Sequence, residues 1–282
     1  MRLINEDDQA LLMTGSSDGV VKLFRNYEAT KRVELVTSFR ALTDLVQSNK
    51  HAGLVFDWQQ GRGSVLVAGD VKVIRVWNAG TEICTSDIPA RSGSCITSLT
   101  SDQVEGDVFV AGFGDGAVRV YDQRERPQTA MLRVFKEHRK WVTNAHLQRG
   151  GQRELVSGCT NGEIKLWDIR MDKSVKTIRA TKDIMRTLSV HEHAPVFATG
   201  TDRRHIKVFN LNSGMMLNSF EPNSGFMQQH RAAAIAGTAF HPHRMLLAAA
   251  SMNDNHVKIY SCLQSKNEVG FEGGHSRAEY GH

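Results

Sequence analysis

The apolar positions of this chain fall into short alternating runs, each closing on an aromatic residue. Six runs share the form apolar, basic, apolar, aromatic: VKLF ending at Phe24, IRVW at Trp77, VRVY at Tyr121, IKLW at Trp167, IKVF at Phe209 and VKIY at Tyr260. Alternation with period two, bounded by turn residues, predicts strands. Ahead of most of these runs stands a turn signal, clearest in Ser157-Gly158-Cys159-Thr160-Asn161-Gly162, where Asn161 and Gly162 both tolerate positive φ. Further apolar runs flank each pair, such as Val108–Ala111 before the third aromatic and Met131–Phe135 after it, and a strand over Trp141–Leu147 opens the fourth unit. The pattern predicts units of four strands; only Ala41–Val46 suggests a short helix.

The six aromatics recur at intervals of 53, 44, 46, 42 and 51 residues. A repeat of about 40–45 residues with four strands each is the signature of a WD-repeat β-propeller, with the longer intervals marking insertions at 41–53 and 221–234. Such a unit must bury both faces against its neighbours, since successive side chains point to opposite sides. The basic residue before each aromatic then needs no chemical role, because its stem covers the ring while its charge reaches water. The expected fold is all-β, a WD-repeat propeller over residues 1–262 followed by a disordered polar tail at 263–282. The first unit keeps only Met1–Ile4 of its inner strand and the sixth shows no fourth strand, so the first and last blades are expected to be incomplete.

Composition narrows the class further. The chain has 282 residues, 40% hydrophobic, enough for a sizeable core. Cys84, Cys95, Cys159 and Cys262 lie far apart with no CxxC pair, which points to reduced thiols rather than a disulfide frame or a zinc site. No apolar run reaches the ~18 residues of a membrane span, and acidic residues come too early for a signal peptide. The net charge of +5 arises from interspersed signs, 35 basic against 30 acidic residues.

Four patterns invite a catalytic or ligand reading. Gly15-Ser16-Ser17-Asp18-Gly19 matches a nucleophile elbow, but a β-pattern follows it where that motif needs a helix. Gly112-Phe113-Gly114-Asp115-Gly116 lacks the spacing of a phosphate loop and also precedes a strand. His191-Glu192-His193 and His241-Pro242-His243 could suggest a metal, yet they fall at one repeat position, which favours turn chemistry. Lys136-Glu137-His138-Arg139-Lys140 and Arg203-Arg204-His205 are basic clusters interrupted by acidic residues, closer to a solvated rim than to a nucleic-acid groove. No catalytic residue, cofactor or metal ligand is therefore assigned.

Several stretches carry a narrower signal: GLVFDWQQGRGSVLVAGDVKVIRVWN at 53–78, DIPARSGSCITSL at 87–99, VAGFGDGAVRVYDQR at 110–124, SGFMQQ at 224–229 and AFHPHRMLLAA at 239–249. Over residues 3–262 the chain resembles the C-terminal propeller of the raptor family, the scaffolds of TOR kinase complex one. The resemblance implies a seven-bladed propeller without catalysis that works in nutrient-responsive TOR signalling. Implied partners are TOR complex proteins and Rag GTPases, with no nucleic acid and no membrane insertion. The implied location is the cytoplasm, with recruitment to the lysosome surface through partners. With six repeat signatures against seven blades, a further blade is expected upstream, the chain being a fragment, a truncated gene model or an unusual short product. A generic WD-repeat adaptor, an enzyme and a nucleic-acid-binding propeller are the competing readings. Phe226, Met227, Gln228 and Gln229 sit outside the strand rhythm in the second insertion and form the candidate partner contact, exposed Phe and Met being enriched in interface cores.

Overall fold

The computed structural model describes residues 1–4, 10–27, 32–45, 53–148, 154–222, 234–252, 256–264 and 269–273. These residues form an all-β, WD-repeat β-propeller of six four-stranded antiparallel sheets. In chain order the strands are β1 (Arg2–Ile4), β2 (Leu11–Gly15), β3 (Val20–Arg25), β4 (Glu34–Arg40), β5 (Leu54–Gln59), β6 (Ser64–Gly69), β7 (Val73–Asn78) and β8 (Ile83–Pro89). There follow β9 (Ile96–Ser101), β10 (Val108–Phe113), β11 (Val118–Asp122), β12 (Met131–Phe135), β13 (Val142–Leu147), β14 (Glu154–Cys159), β15 (Glu163–Asp168) and β16 (Lys176–Arg179). The last eight are β17 (Met185–Val190), β18 (Val196–Thr201), β19 (Ile206–Asn210), β20 (Met216–Phe220), β21 (Ile235–Phe240), β22 (Leu246–Ser251), β23 (Val257–Gln264) and β24 (Val269–Gly273). Each consecutive set of four is one sheet. By compactness the chain divides into Met1–Ser157 with Leu166–Ser174, and Gly158–Lys165 with Val175–His282; the dividing line runs through the fourth sheet.

Three expectations are corrected. The first and last sheets are complete in strand number: β1 pairs with β2 from Arg2↔Met13 to Ile4↔Leu11, and β24 pairs with β23 from Tyr260↔Gly273 to Gln264↔Val269. The polar stretch from 263 therefore contains a strand, because cross-strand pairing uses backbone groups that any sequence carries. Residues 274–282 lie outside the described residues. Nor do residues 41–45 make a helix. Ala41 has its carbonyl engaged by Arg75 Nη1 (3.2 Å) and Trp77 Nε1 (3.3 Å), and only one turn forms, Leu45 N–H donating to Leu42 O. The one helical element among the described residues is a 3-10 turn at Gln60–Arg62. No helix is long and apolar enough to cross a membrane among those residues.

The closing aromatics all lie on third strands, and their packing follows a rule. Trp77 lies against Phe39 on the preceding sheet's outer strand (5.2 Å between centroids), Trp167 against Phe135 (4.6 Å) and Tyr260 against Phe220 (4.5 Å). Tyr121 and Phe209 instead stack on rings opposite them in their own sheets, Phe109 (4.9 Å) and Phe197 (5.0 Å). The two arrangements compensate. Where the preceding outer strand carries Phe39, Phe135 or Phe220, the second residue of the sheet's second strand is aliphatic: Val65, Leu155 or Leu247. Where the outer strand carries Ile88 or Ile178, that second residue is Phe109 or Phe197. Each of these five third-strand rings thus meets one phenylalanine ring, and a near-constant core volume is filled by exchanging Phe with an aliphatic residue between two positions. The polar tips are also satisfied, Tyr121 donating its hydroxyl to Ala90 O at 3.1 Å and Trp167 its indole N–H to Ser157 Oγ at 2.7 Å.

The outer strands also carry polar pegs to the next sheet. Thr37 bonds Glu82, Arg133 pairs with Asp172, and Lys176 Nζ donates to Asn212 O (3.0 Å) and Ser213 O (2.6 Å). In each case an outer strand reaches the turn between the third and fourth strands of its neighbour.

Two measurements test this packing. Phe109→Leu costs about 1–2 kcal/mol in urea unfolding, and Ile88→Phe added to it restores most of the loss, whereas Ile88→Phe alone is overpacked and destabilising. Equivalent positions in the fifth and sixth sheets differ sharply: Ile206 and Val208 are fully buried, but Val257 is 65% and Ile259 46% exposed. The cost of a polar substitution follows that difference: Ile206→Ser costs on the order of 2–5 kcal/mol, and Val257→Ser at the matching position about 0.5 or less.

Candidate functional site

Each motif considered for chemistry is built into a turn. In the first sheet Ser16 and Asp18 bond each other across the β2–β3 turn, and Asp18 Oδ1 accepts the Val20 N–H at 3.1 Å. Gly19 takes φ 87°, and the chain passes directly into β3, so Ser17 has no helix behind it. The glycine-rich turn after β10 runs likewise into β11, with Gly116 at φ 82° and the Asp115 carboxylate taken up by the Ala117 N–H at 2.9 Å. In Asn161-Gly162, Asn161 Oδ1 accepts the Glu163 N–H at 3.1 Å and Gly162 sits at φ 82°, as the turn chemistry requires.

The histidine pairs act as turn caps. His191 Nδ1 accepts the N–H groups of His193 (3.1 Å) and Ala194 (3.0 Å), and His241 Nδ1 accepts those of His243 (3.1 Å) and Arg244 (3.2 Å). Both turns link a first strand to a second strand, and the shared geometry explains the shared sequence position. His193 and His243 stack with centroids 5.4 Å apart.

The three described thiols are not activated. Burial pushes Cys84, Cys95 and Cys159 above the ordinary thiol range, with Asp87 adding to the effect on Cys84 and Asp70 on Cys95. Tyr121 is likewise raised by burial and stays protonated.

The FDWQQ stretch, one of the segments that carry the family resemblance, is consumed by structure. Asp57 and Gln59 on β5 are both fully buried. Asp57 faces the Arg2 guanidinium and accepts the Ser101 hydroxyl, so one carboxylate joins residues of the first three sheets. Gln59 Nε2 donates to Gly106 O at 2.9 Å, Gln103 Nε2 to Trp58 O at 2.9 Å, and Trp58 Nε1 to Gln60 Oε1 at 2.6 Å. Sequence reasoning marked this segment as distinctive without finding its task. An acid and an amide alternating with apolar residues on a first strand were the available signal.

A second charged knot lies nearby in sequence. Arg75, 9% exposed, holds Asp87 with both Nε (2.7 Å) and Nη2 (2.9 Å) and reaches Asp44 with Nη1 (2.7 Å). The hydrogen bond from Arg75 holds the Asp44 carboxyl below its ordinary range. A depressed carboxyl contributes stability that is full above its unfolded value, about 3.9, and fades as the pH falls through the folded value. The stability gap between the wild type and Asp44→Asn is therefore expected to narrow as pH drops below about 4 in urea titrations, and to stay flat above about pH 5.

The six repeat aromatics, Phe24, Trp77, Tyr121, Trp167, Phe209 and Tyr260, lie on β3, β7, β11, β15, β19 and β23. The candidate contact Phe226, Met227, Gln228 and Gln229 lies outside the described residues. One solvent-facing residue departs from the sequence reading: Trp141, expected as the first residue of a strand, stands just before β13 and is 43% exposed.

Comparison with known proteins places this arrangement. A family model described as "Nucleolar protein 10-like, N-terminal domain", a β-propeller, matches residues 85–261. The chain is 48% identical over 269 residues to the target of rapamycin complex 1 subunit mip1 of Schizosaccharomyces pombe, covering 95% of this chain and 20% of that protein. It is 45% identical to the target of rapamycin complex 1 subunit KOG1 of Saccharomyces cerevisiae, covering 93% of this chain and 19% of that protein. The crystal structure of Chaetomium thermophilum Raptor superposes with a TM-score of 0.86 at 57% identity, over 95% of this chain and 24% of that one. The chain thus spans about a fifth of the length of these curated relatives.

Proposed function

Because the chain belongs to the nucleolar protein 10-like β-propeller family and is raptor-like over almost its whole length, we propose that it is a protein-binding propeller of a TOR complex 1 scaffold. The observation that supports this most is 48% identity to mip1 across 95% of the chain, a similarity far beyond what repeat geometry alone demands. The role is non-catalytic: the serine that matches a nucleophile elbow sits in a hairpin turn that runs straight into β3, His191 and His241 cap turns with Nδ1, and burial raises the Cys159 thiol. Its partners are TOR kinase complex proteins and, through the assembled complex, Rag GTPases. It binds no nucleic acid and inserts into no membrane. It works in the cytoplasm and reaches the lysosome surface through those partners.

Tagging the protein at its chromosomal locus and precipitating it under mild conditions is expected to recover TOR kinase. Recovery of an unrelated assembly without TOR kinase would replace this reading with that of a WD-repeat adaptor in another pathway. Within the same experiment, Phe226→Ser combined with Met227→Ser is expected to lower partner recovery at an unchanged melting temperature. A drop in melting temperature of several degrees would instead make the two side chains an intramolecular anchor.

A further inference from the structure

The loop that follows β12, residues 136–141, combines features that the packing of the sheets does not require. Of the four tryptophans, Trp58 and Trp167 are buried, Trp77 is half-buried, and Trp141 alone is exposed. Its ring is nevertheless fixed. A Cβ placed on Gly114 would come within 3.2 Å of Trp141 Cε2, 3.0 Å of Cys95 Sγ and 2.9 Å of Ser94 Oγ, so the indole lies against bare glycine backbone. The rest of the loop is held as firmly. Gly116, at φ 82°, packs so closely that a Cβ there would collide with His138 O and meet Lys140 O at 3.0 Å. His138 is buried, with Nε2 2.7 Å from Ser157 Oγ and its ring edge-on to Trp167. Just beyond the loop, Val142 O accepts the Thr97 hydroxyl at 2.7 Å.

The charge around this ring has one free sign. Lys136, Arg139 and Lys140 are exposed, and none of them makes an ion pair or side-chain hydrogen bond among the described residues. The acids nearby are committed. Glu137 accepts the Ser174 N–H (2.9 Å) and hydroxyl (2.6 Å), and Asp115 holds the Ala117 N–H (2.9 Å), the Ser92 hydroxyl (3.2 Å) and Arg119 Nη2 (3.4 Å).

We propose that loop 136–141 is a docking site for an acidic peptide segment of a partner protein, with an aromatic or aliphatic side chain of that segment on Trp141 and its carboxylates beside Lys136, Arg139 and Lys140. A rigid, half-exposed indole offers a large contact area with little conformational entropy left to lose, and tryptophan is over-represented among residues that dominate binding energy. Unpaired cations beside it attract a negatively charged segment and make its capture salt-dependent. A peptide fits better than a nucleic acid: the cations occupy one short loop rather than a stripe along which a phosphate backbone could run. The proposal goes beyond the TOR-scaffold reading and does not depend on it, since it concerns binding chemistry intrinsic to this chain.

The test uses the whole 282-residue chain and a fluorescein-labelled peptide of sequence Glu-Asp-Glu-Phe-Asp-Glu, followed by anisotropy at low and at physiological salt. Binding is expected at low salt and weakens as salt rises. Trp141→Ala lowers affinity by about tenfold or more. Arg139→Glu with Lys140→Glu abolishes binding, while Arg186→Glu, an exposed cation on β17, leaves it unchanged. Circular dichroism melts of each variant separate lost binding from lost fold, and the double charge reversal, confined to exposed side chains, serves if Trp141→Ala disturbs its neighbours. Absence of binding to the wild-type chain, equal binding by the charge-reversed chain, or tighter binding of a single-stranded oligouridylate than of the peptide would each overturn the proposal.

Discussion

The space under each third-strand ring is the constraint on which this structure turns. Adjacent sheets bury both faces, and the gap beneath Trp77, Tyr121, Trp167, Phe209 or Tyr260 holds one phenylalanine ring and one aliphatic side chain. That second ring comes from the preceding outer strand in some gaps and from the same sheet in others, but the sum changes little. Interiors at crystal-like density leave no tolerance for a missing or surplus ring, so strand spacing and the path of each outer strand are set by this exchange.

Polar contacts complete what the rings begin. The rings are non-directional and fix distance; the hydrogen bonds fix register. Asp57, fully buried between Arg2 and Ser101, and Arg75, forked onto Asp87 and Asp44, each tie a strand to loops or strands of neighbouring sheets. Buried charges of this kind stabilise only when every partner is present, and removing one partner leaves the other uncompensated. That asymmetry gives the FDWQQ segment a reason for its distinct composition that involves no ligand.

Much of this was legible in the sequence, and the parts that were not share a cause. Third strands announced themselves because alternation and a terminal ring are local signals, and the turns at Gly19, Gly116 and Gly162 did so because only certain residues accept positive φ. β24 was hidden because its pairing is carried by backbone groups in a polar stretch. The environment of Asp57 was hidden because Ser101 and Arg2 are remote in sequence and become neighbours only after the sheets pack. Trp141 was read as the start of a strand for a related reason: it directly precedes Val142 of β13, and only the approach of Gly114 shows that the ring belongs to the loop.

The exchange of Phe with an aliphatic residue has a consequence for assembly order. An outer strand bearing Ile88 is completed by a second strand bearing Phe109, and one bearing Phe39 by a second strand bearing Val65. Were the third sheet to dock on the first, Phe39 and Phe109 would compete for one site; were the second sheet to meet the fourth, Ile88 and Leu155 would leave a void. Similar repeats within one chain invite such shuffled neighbours during folding. Side-chain size thus sorts the sheets into two classes of neighbour, and a sheet from the wrong class finds either a steric collision or a hole where its proper neighbour finds a fit.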